Sequence, residues 1–158
     1  MRKLNQLRNK FVKTKGKTYA VAYLRTSSAT NAEGDSQVRQ RAAIAAFSKT
    51  AGFELVDEFA DVAVSGADPI ESREGFAHLL DRIEGNGVRI VIIEDASRLA
   101  RQLVTQELAI LALIARGVRV LTANGDDLTD DIHLDRKLER MLTMLLRLKE
   151  LRRTTVEG

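Results

Sequence analysis

The sequence contains no cysteine, which removes disulfide scaffolds, thiolate zinc sites and cysteine nucleophiles at once and fits a reducing cytoplasm. Long apolar runs are missing too. Apolar-rich stretches such as residues 88–93 and 118–121 are far too short to cross a bilayer, and the basic N-terminus lacks the apolar stretch of a signal peptide. A soluble cytoplasmic protein without a membrane partner is expected. There are only two histidines, His78 and His133, both in or beside segments of helical period, so a Ser-His-Asp hydrolase has little support. Neither a GxxxxGK[ST] loop nor a GxGxxG after the first strand is present, which leaves nucleotide-binding readings without footing. Internal repeats are absent.

What is there fits one domain. A chain of 158 residues buries about two thirds of the surface its unfolded form exposes, enough to fold without metals or disulfides. The charge is informative in its placement. Residues 1–17 carry seven cations, Arg2, Lys3, Arg8, Lys10, Lys13, Lys15 and Lys17, and no acid, against a chain total of +3, so the remainder is net acidic. A basic arm ahead of an acidic body suits a polyanion such as DNA, because neutralised phosphates release counterions. A flexible solubilising tail would look the same.

From residue 19 onward, apolar β-type runs alternate with segments of helical period, the pattern of an α/β domain with a mostly parallel central sheet and flanking helices. The spacing predicts a first strand at 19–25. A helix starting at Ser36 under its own hydroxyl cap follows, burying Ile44 and Phe47 and closing at Gly52. The second strand is predicted at 53–59 and a loop at 61–72 around the only proline, Pro69. Ser72 is expected to cap a helix with Phe76, Leu79, Leu80 and Ile83 on one face, ending at 85–87. A third strand at 89–94 is nearly all apolar, hence covered on both faces. A third helix to about Arg116 and a fourth strand at 118–122 complete the core.

Residues 130–153 differ. Leu134, Leu138, Met141, Leu142, Leu145, Leu146, Leu148 and Leu151 make an apolar stripe wider than one small domain needs, and Arg136, Lys137, Arg140, Arg147, Lys149, Arg152 and Arg153 fill much of the remainder. A long helix that is both leucine-rich and basic points to self-association on one side and polyanion contact on another. Packing back on the sheet would account for some of the leucines.

In open α/β sheets, ligands bind beyond the carboxyl ends of the strands. There this chain places Arg25, Ser27 and Ser28 after the first strand, Ser65 and Arg73 after the second, and Glu94, Asp95, Ser97, Arg98 and Arg101 after the third. Guanidinium forks match phosphate oxygens, and several around one concavity imply a bound anion. A serine among them can be the nucleophile of a phosphoryl transfer, with arginines balancing charge on the non-bridging oxygens. No metal is then required, and the adjacent carboxylates of Glu94 and Asp95 would point to opposite sides of an extended strand, so no metal site is expected.

The stretches YLRTSS at 23–28, SQVRQ at 36–40, VSG and SREG within 64–75, and EDASRLAR at 94–101 together resemble the catalytic domain of the serine recombinases, the resolvase/invertase family that includes large serine integrases. The resemblance runs over residues 19–121. It implies a resolvase-like α/β catalytic domain at 19–125 and a long helix at 130–154 for oligomerisation and DNA contact, after the basic and flexible arm that the charge pattern places at 1–18. It implies that Ser27 attacks a DNA phosphodiester to give a 5′-phosphoserine and a free 3′-hydroxyl, without cofactor or metal. Arg25, Gln37, Ser65, Arg73, Arg98 and Arg101 match the family's active-site positions, and DNA plus a homodimer that pairs into a homotetramer are the implied partners. The aspartate usual before the first arginine of the D-R-L-x-R motif is Ser97 here, and either Ser97 or Asp95, two residues earlier, takes its place. The family's DNA-binding domain would follow the last helix; its absence before residue 158 is the mark of an excised catalytic domain or a short natural form. The competing class is a non-enzymatic α/β module that binds phosphate or nucleic acid through the same arginines and oligomerises. A phosphatase-like hydrolase is a third.

Overall fold

The computed structural model describes residues 17–27 and 31–156. Four strands, β1 (Thr18–Arg25), β2 (Phe53–Asp61), β3 (Ile90–Ile93) and β4 (Arg119–Thr122), alternate with four helices, α1 (Asn31–Ala51), α2 (Glu74–Asn86), α3 (Leu103–Ala115) and α4 (Asp131–Val156). The strands form one parallel sheet in the order β2-β1-β3-β4. This is the α/β fold expected, with the basic N-terminal arm up to residue 16 lying outside the described residues.

Alternation along β1 explains the layering. Ala20, Ala22 and Leu24 pack with Ile44, Phe47 and Ala51 of α1 on one face. Val21 and Tyr23 join Phe76, Leu79 and Ile83 of α2 and Ile110 and Leu113 of α3 on the other. β3 is buried throughout, as a strand covered on both faces must be. The chain leaves β1 for β2 on one side and returns to β3 on the other, so the order of connection reverses between β1 and β3. In doubly wound sheets that reversal opens a crevice at the carboxyl edge.

Two helix starts differ from the sequence reading. α1 begins at Asn31, and Ser36 lies within it, its hydroxyl accepting from Gln40 Nε2 at 3.1 Å. Ser72 does not cap α2. It sits in a 3-10 turn, Ile70–Ser72, and donates to the Pro69 carbonyl, while Arg73 occupies the N-cap position without a side-chain cap. A serine marks a helix start only when no competing partner lies nearby, and both serines have one. α2 does end as expected, with Gly87 in the left-handed conformation at φ 72°.

α4 stands apart from the sheet. Leu138, Leu142, Leu145, Leu146, Leu148 and Leu151 are each about half exposed or more, so the described leucines of the stripe are not absorbed by the domain's own core. One tie to the body is Arg140, 3.6 Å from Oε1 of Glu107 on α3. Glu107 is 1 % exposed, and its Oε2 has no hydrogen-bond partner among the described residues. The Arg140 side chain remains 53 % exposed, so it loses little if the carboxylate goes. Glu107→Leu is therefore expected to raise stability by about 1 kcal/mol, because it removes a poorly compensated buried charge. A thermal melt should show this as a rise of roughly 2–4 °C.

Candidate active site

The carboxyl edge of the sheet is held together by two arginines that face inward. Arg25, the last residue of β1, is 1 % exposed. Its Nε donates to the Arg98 carbonyl at 3.2 Å, Nη1 to the Val64 carbonyl at 3.0 Å and Nη2 to the Ser97 carbonyl at 2.8 Å. Arg73 is equally buried. It donates through Nη1 to the Leu99 carbonyl and through Nη2 to the carbonyls of Asp68 at 3.1 Å and Gly66 at 3.5 Å. The loop after β2 and the loop after β3 are thus tied to each other and to the tip of β1. Gly66 completes the joint: its carbonyl accepts from the Arg101 amide at 3.2 Å, and a Cβ there would lie 2.6 Å from Arg101 Cγ and 3.0 Å from Arg25 Nη2. Only glycine lets the two loops approach this closely.

Electrostatically these groups form one cluster. The Arg25 guanidinium is held below its ordinary range, first by burial and then by the neighbouring charges of Arg73, Arg98 and Arg101. The acid Glu94 partly offsets them, lying 3.4 Å from Arg98 Nε and 3.0 Å from Arg39. Arg98 also donates through Nη1 to the Arg25 carbonyl at 3.0 Å. Arg101 is exposed. A site with this excess of cation is made for an anion.

Ser27 lies two residues beyond Arg25, exposed, in a bend that ends the first described segment. Among the described residues its hydroxyl has no hydrogen-bond partner. Ser28 lies outside the described residues. Ser65 is exposed in the loop after β2, where its hydroxyl accepts from the Ala67 amide at 3.1 Å and its own amide donates to Asp68 Oδ2 at 3.0 Å; it shapes that turn. Gln37 is half-buried on α1, and its Oε1 accepts from Arg41 one turn on at 3.3 Å. Asp95 caps the short turn Ala96–Arg98 by accepting from the Ser97 amide at 2.9 Å and from the Ser97 hydroxyl. The structure therefore brings Arg25, Arg73, Arg98 and Arg101 together where the loops after β2 and β3 meet the tip of β1, and leaves Gln37 bonded along its own helix.

Asp61 belongs to the same framework and was not anticipated. At the end of β2 and 4 % exposed, it accepts from the Tyr23 hydroxyl at 2.8 Å and from the amides of Gly75 at 2.7 Å and Phe76 at 3.0 Å. It satisfies the first amides of α2 and complements that helix's dipole, fixing the segment that carries Arg73. Burial, reinforced by the Asp61 charge, holds the Tyr23 hydroxyl above its ordinary value, so it remains the donor of this bond. β2 carries four acids, Glu54, Asp57, Glu58 and Asp61, so its sequence did not single out the last of them.

The family model for the resolvase N-terminal domain matches residues 20–157. The chain belongs to the resolvase family. No curated protein matches it. Among solved structures, a resolvase family site-specific recombinase from Streptococcus pneumoniae is 25 % identical, with a TM-score of 0.68 over 90 % of this chain and 95 % of that one. The N-terminal catalytic domain of TP901-1 integrase is 21 % identical, with a TM-score of 0.64 over 86 % and 97 %. The C-terminal catalytic domain of ISC1926 TnpA, an IS607-like serine recombinase, is 24 % identical, with a TM-score of 0.58 over 80 % and 82 %. These last two show the shared fold. The resolvase-family architecture described above is thus that of serine recombinase catalytic domains.

Proposed function

We propose that this resolvase-family chain is the catalytic domain of a site-specific DNA recombinase in which Ser27 is the nucleophile. The observation that carries the reading is an exposed serine that follows a strand tip surrounded by an arginine cluster. Ser27 Oγ attacks the phosphorus of a DNA phosphodiester. The Oγ–P bond forms and the P–O3′ bond breaks; the serine proton is lost and the 3′-oxygen gains one, leaving a 5′-phosphoserine and a free 3′-hydroxyl. Attack by a 3′-hydroxyl on the phosphoserine reverses the step and reseals a strand, so the bond is conserved and no cofactor or metal is consumed.

Within this scheme Arg98 and Arg101 hold the scissile phosphate and stabilise charge on its non-bridging oxygens. Arg25 and Arg73 give their donors to loop carbonyls and act by holding the two loops in register with the β1 tip; Ser65 shapes its loop. Gln37 belongs to the site by its sequence position alone. Cutting four strands with one nucleophile per chain takes four chains, and the exposed leucines of α4 are the surface through which dimers would form and pair.

Trapping tests the reading. The protein at its natural length is incubated with a library of randomised, pre-nicked duplex DNA, quenched in denaturant, and the covalent products are mapped by mass spectrometry. A 5′-phosphate linked to Ser27 is expected. DNA binding with no adduct would sink the enzyme and favour the phosphate-binding module, for which the inward-turned Arg25 and Arg73 are suitable scaffolding. Turnover of small phosphate esters with no lasting adduct would favour a hydrolase.

A further inference from the structure

A glutamine at position 40 breaks the pattern of α1. Gln40, Ile44, Phe47 and Ala51 are all buried on one face of the helix, and at helical spacing the first of them should be as apolar as the rest. Instead it is a fully buried amide, 0 % exposed. Such a group is tolerated only when its hydrogen bonds are made. Those bonds are made to the tip of β1.

The sheet explains why the tip needs them. β1 pairs with β3 only at Val21 and Ala22, and β3 ends at Ile93 before turning away. On its other side β1 stays paired: the Thr26 amide donates to the Asp61 carbonyl at 3.0 Å, and the Thr26 carbonyl accepts from the Val64 amide at 2.9 Å. Along a strand, backbone polar groups of successive residues point to opposite neighbours. The amide and carbonyl of Arg25 therefore face the side that β3 has vacated. Gln40 occupies it. Its Oε1 accepts from the Arg25 amide at 3.3 Å, and its Nε2 donates to the Arg25 carbonyl at 3.1 Å and to the Ser36 hydroxyl at 3.1 Å. Only one orientation of the side-chain amide serves both backbone groups. The same carbonyl accepts from Arg98 Nη1, so the contact links α1, the strand tip and a phosphate-facing arginine.

We infer that Gln40 is a positioning residue for the strand-tip nucleophile: its amide substitutes for the missing neighbouring strand and holds the segment 25–27 and Arg98 in their relative places. This rests on the recombinase reading for its catalytic consequence, but not for its structural one. A glutamine that merely filled the core would be replaceable by an apolar side chain of equal length. One that positions Ser27 is not, because a shift of about 1 Å at a reacting group costs up to about 100-fold in rate.

The test uses Gln40→Met, which preserves length and apolar contact, and Gln40→Glu, which keeps the acceptor for the Arg25 amide but loses the donor to its carbonyl. Amide hydrogen exchange read by NMR should show the Arg25 amide exchanging at least about 10-fold faster in Gln40→Met and near the parent rate in Gln40→Glu, with Val21 and Ala22 unchanged in both. In the DNA-trapping assay at saturating DNA, Gln40→Met should slow adduct formation by about 10- to 100-fold with DNA affinity unchanged. An Arg25 amide equally protected in Gln40→Met overturns the inference, as does parental adduct formation in that variant. If the parent itself forms no adduct while the Arg25 amide responds as expected, the recombinase reading fails and Gln40 stands as the support of the strand tip. Should Gln40→Met not fold, the amide pattern of Gln40→Glu decides.

Discussion

Ser27→Ala is expected to abolish the covalent protein–DNA adduct, a loss of at least about 10³-fold, while leaving thermal stability within about 0.5 kcal/mol of the parent. The two halves of that expectation come from different facts. Ser27 is exposed and its hydroxyl bonds to no described residue, so removing one oxygen strands no described partner and opens no buried cavity. Chemistry is another matter. In the proposed reaction the covalent bond to DNA is made by that oxygen, and no arginine can replace it, because a guanidinium has donors and no nucleophilic lone pair at neutral pH. DNA affinity should also be unchanged, since phosphate binding is carried by charge. A gel-shift series, a melt and the trapping assay on one preparation check all three. A variant that still forms adduct would move the nucleophile elsewhere, and Ser28 would be tested next. A variant that loses DNA binding along with the adduct would mean that Ser27 is a ligand-binding group, as in the non-enzymatic module.

The parts legible in the sequence were those set by local period. Apolar runs marked the strands, Gly52 and Gly87 marked helix ends, and a parallel sheet followed from the alternation, which in turn located the carboxyl edge and its arginines. What escaped were partners far apart in the chain. Arg25 bonds to the carbonyls of Val64, Ser97 and Arg98. Every residue has a carbonyl, so nothing in the composition of those loops announces that they will receive a guanidinium. Asp61 reaches Tyr23, 38 residues away, and its role depends on where α2 begins. Gln40 could not be told from Gln37 without knowing that β3 stops short of the β1 tip. The sequence comparison with the family favoured Gln37, whose side chain in the structure meets Arg41. Periodicity alone did hold one clue, a polar residue where α1 should be apolar.

Arg73→Ala is expected to be the more damaging of two arginine substitutions on the same rim, and for a reason unrelated to phosphate. Arg73 is 1 % exposed and serves the carbonyls of Leu99, Asp68 and Gly66. Truncation strands these acceptors and leaves the volume of a large side chain empty; entering water and relief of the buried charge offset part of the cost. A net loss of about 3 kcal/mol follows, or roughly 6–12 °C in melting temperature for a chain of this size. Arg73→Lys should recover little of it, since a single ammonium cannot span the carbonyls that a planar fork reaches. Arg101→Ala should behave in the opposite way. Its guanidinium is at the surface, so stability changes little, but DNA affinity falls and the slope of log affinity against log salt is reduced by about one phosphate contact. Melting curves and salt titrations on the three variants separate the roles. If folded Arg73→Lys loses a phosphate's worth of salt dependence while keeping the parental melting temperature, Arg73 turns outward to DNA and the inward staple is not its working state.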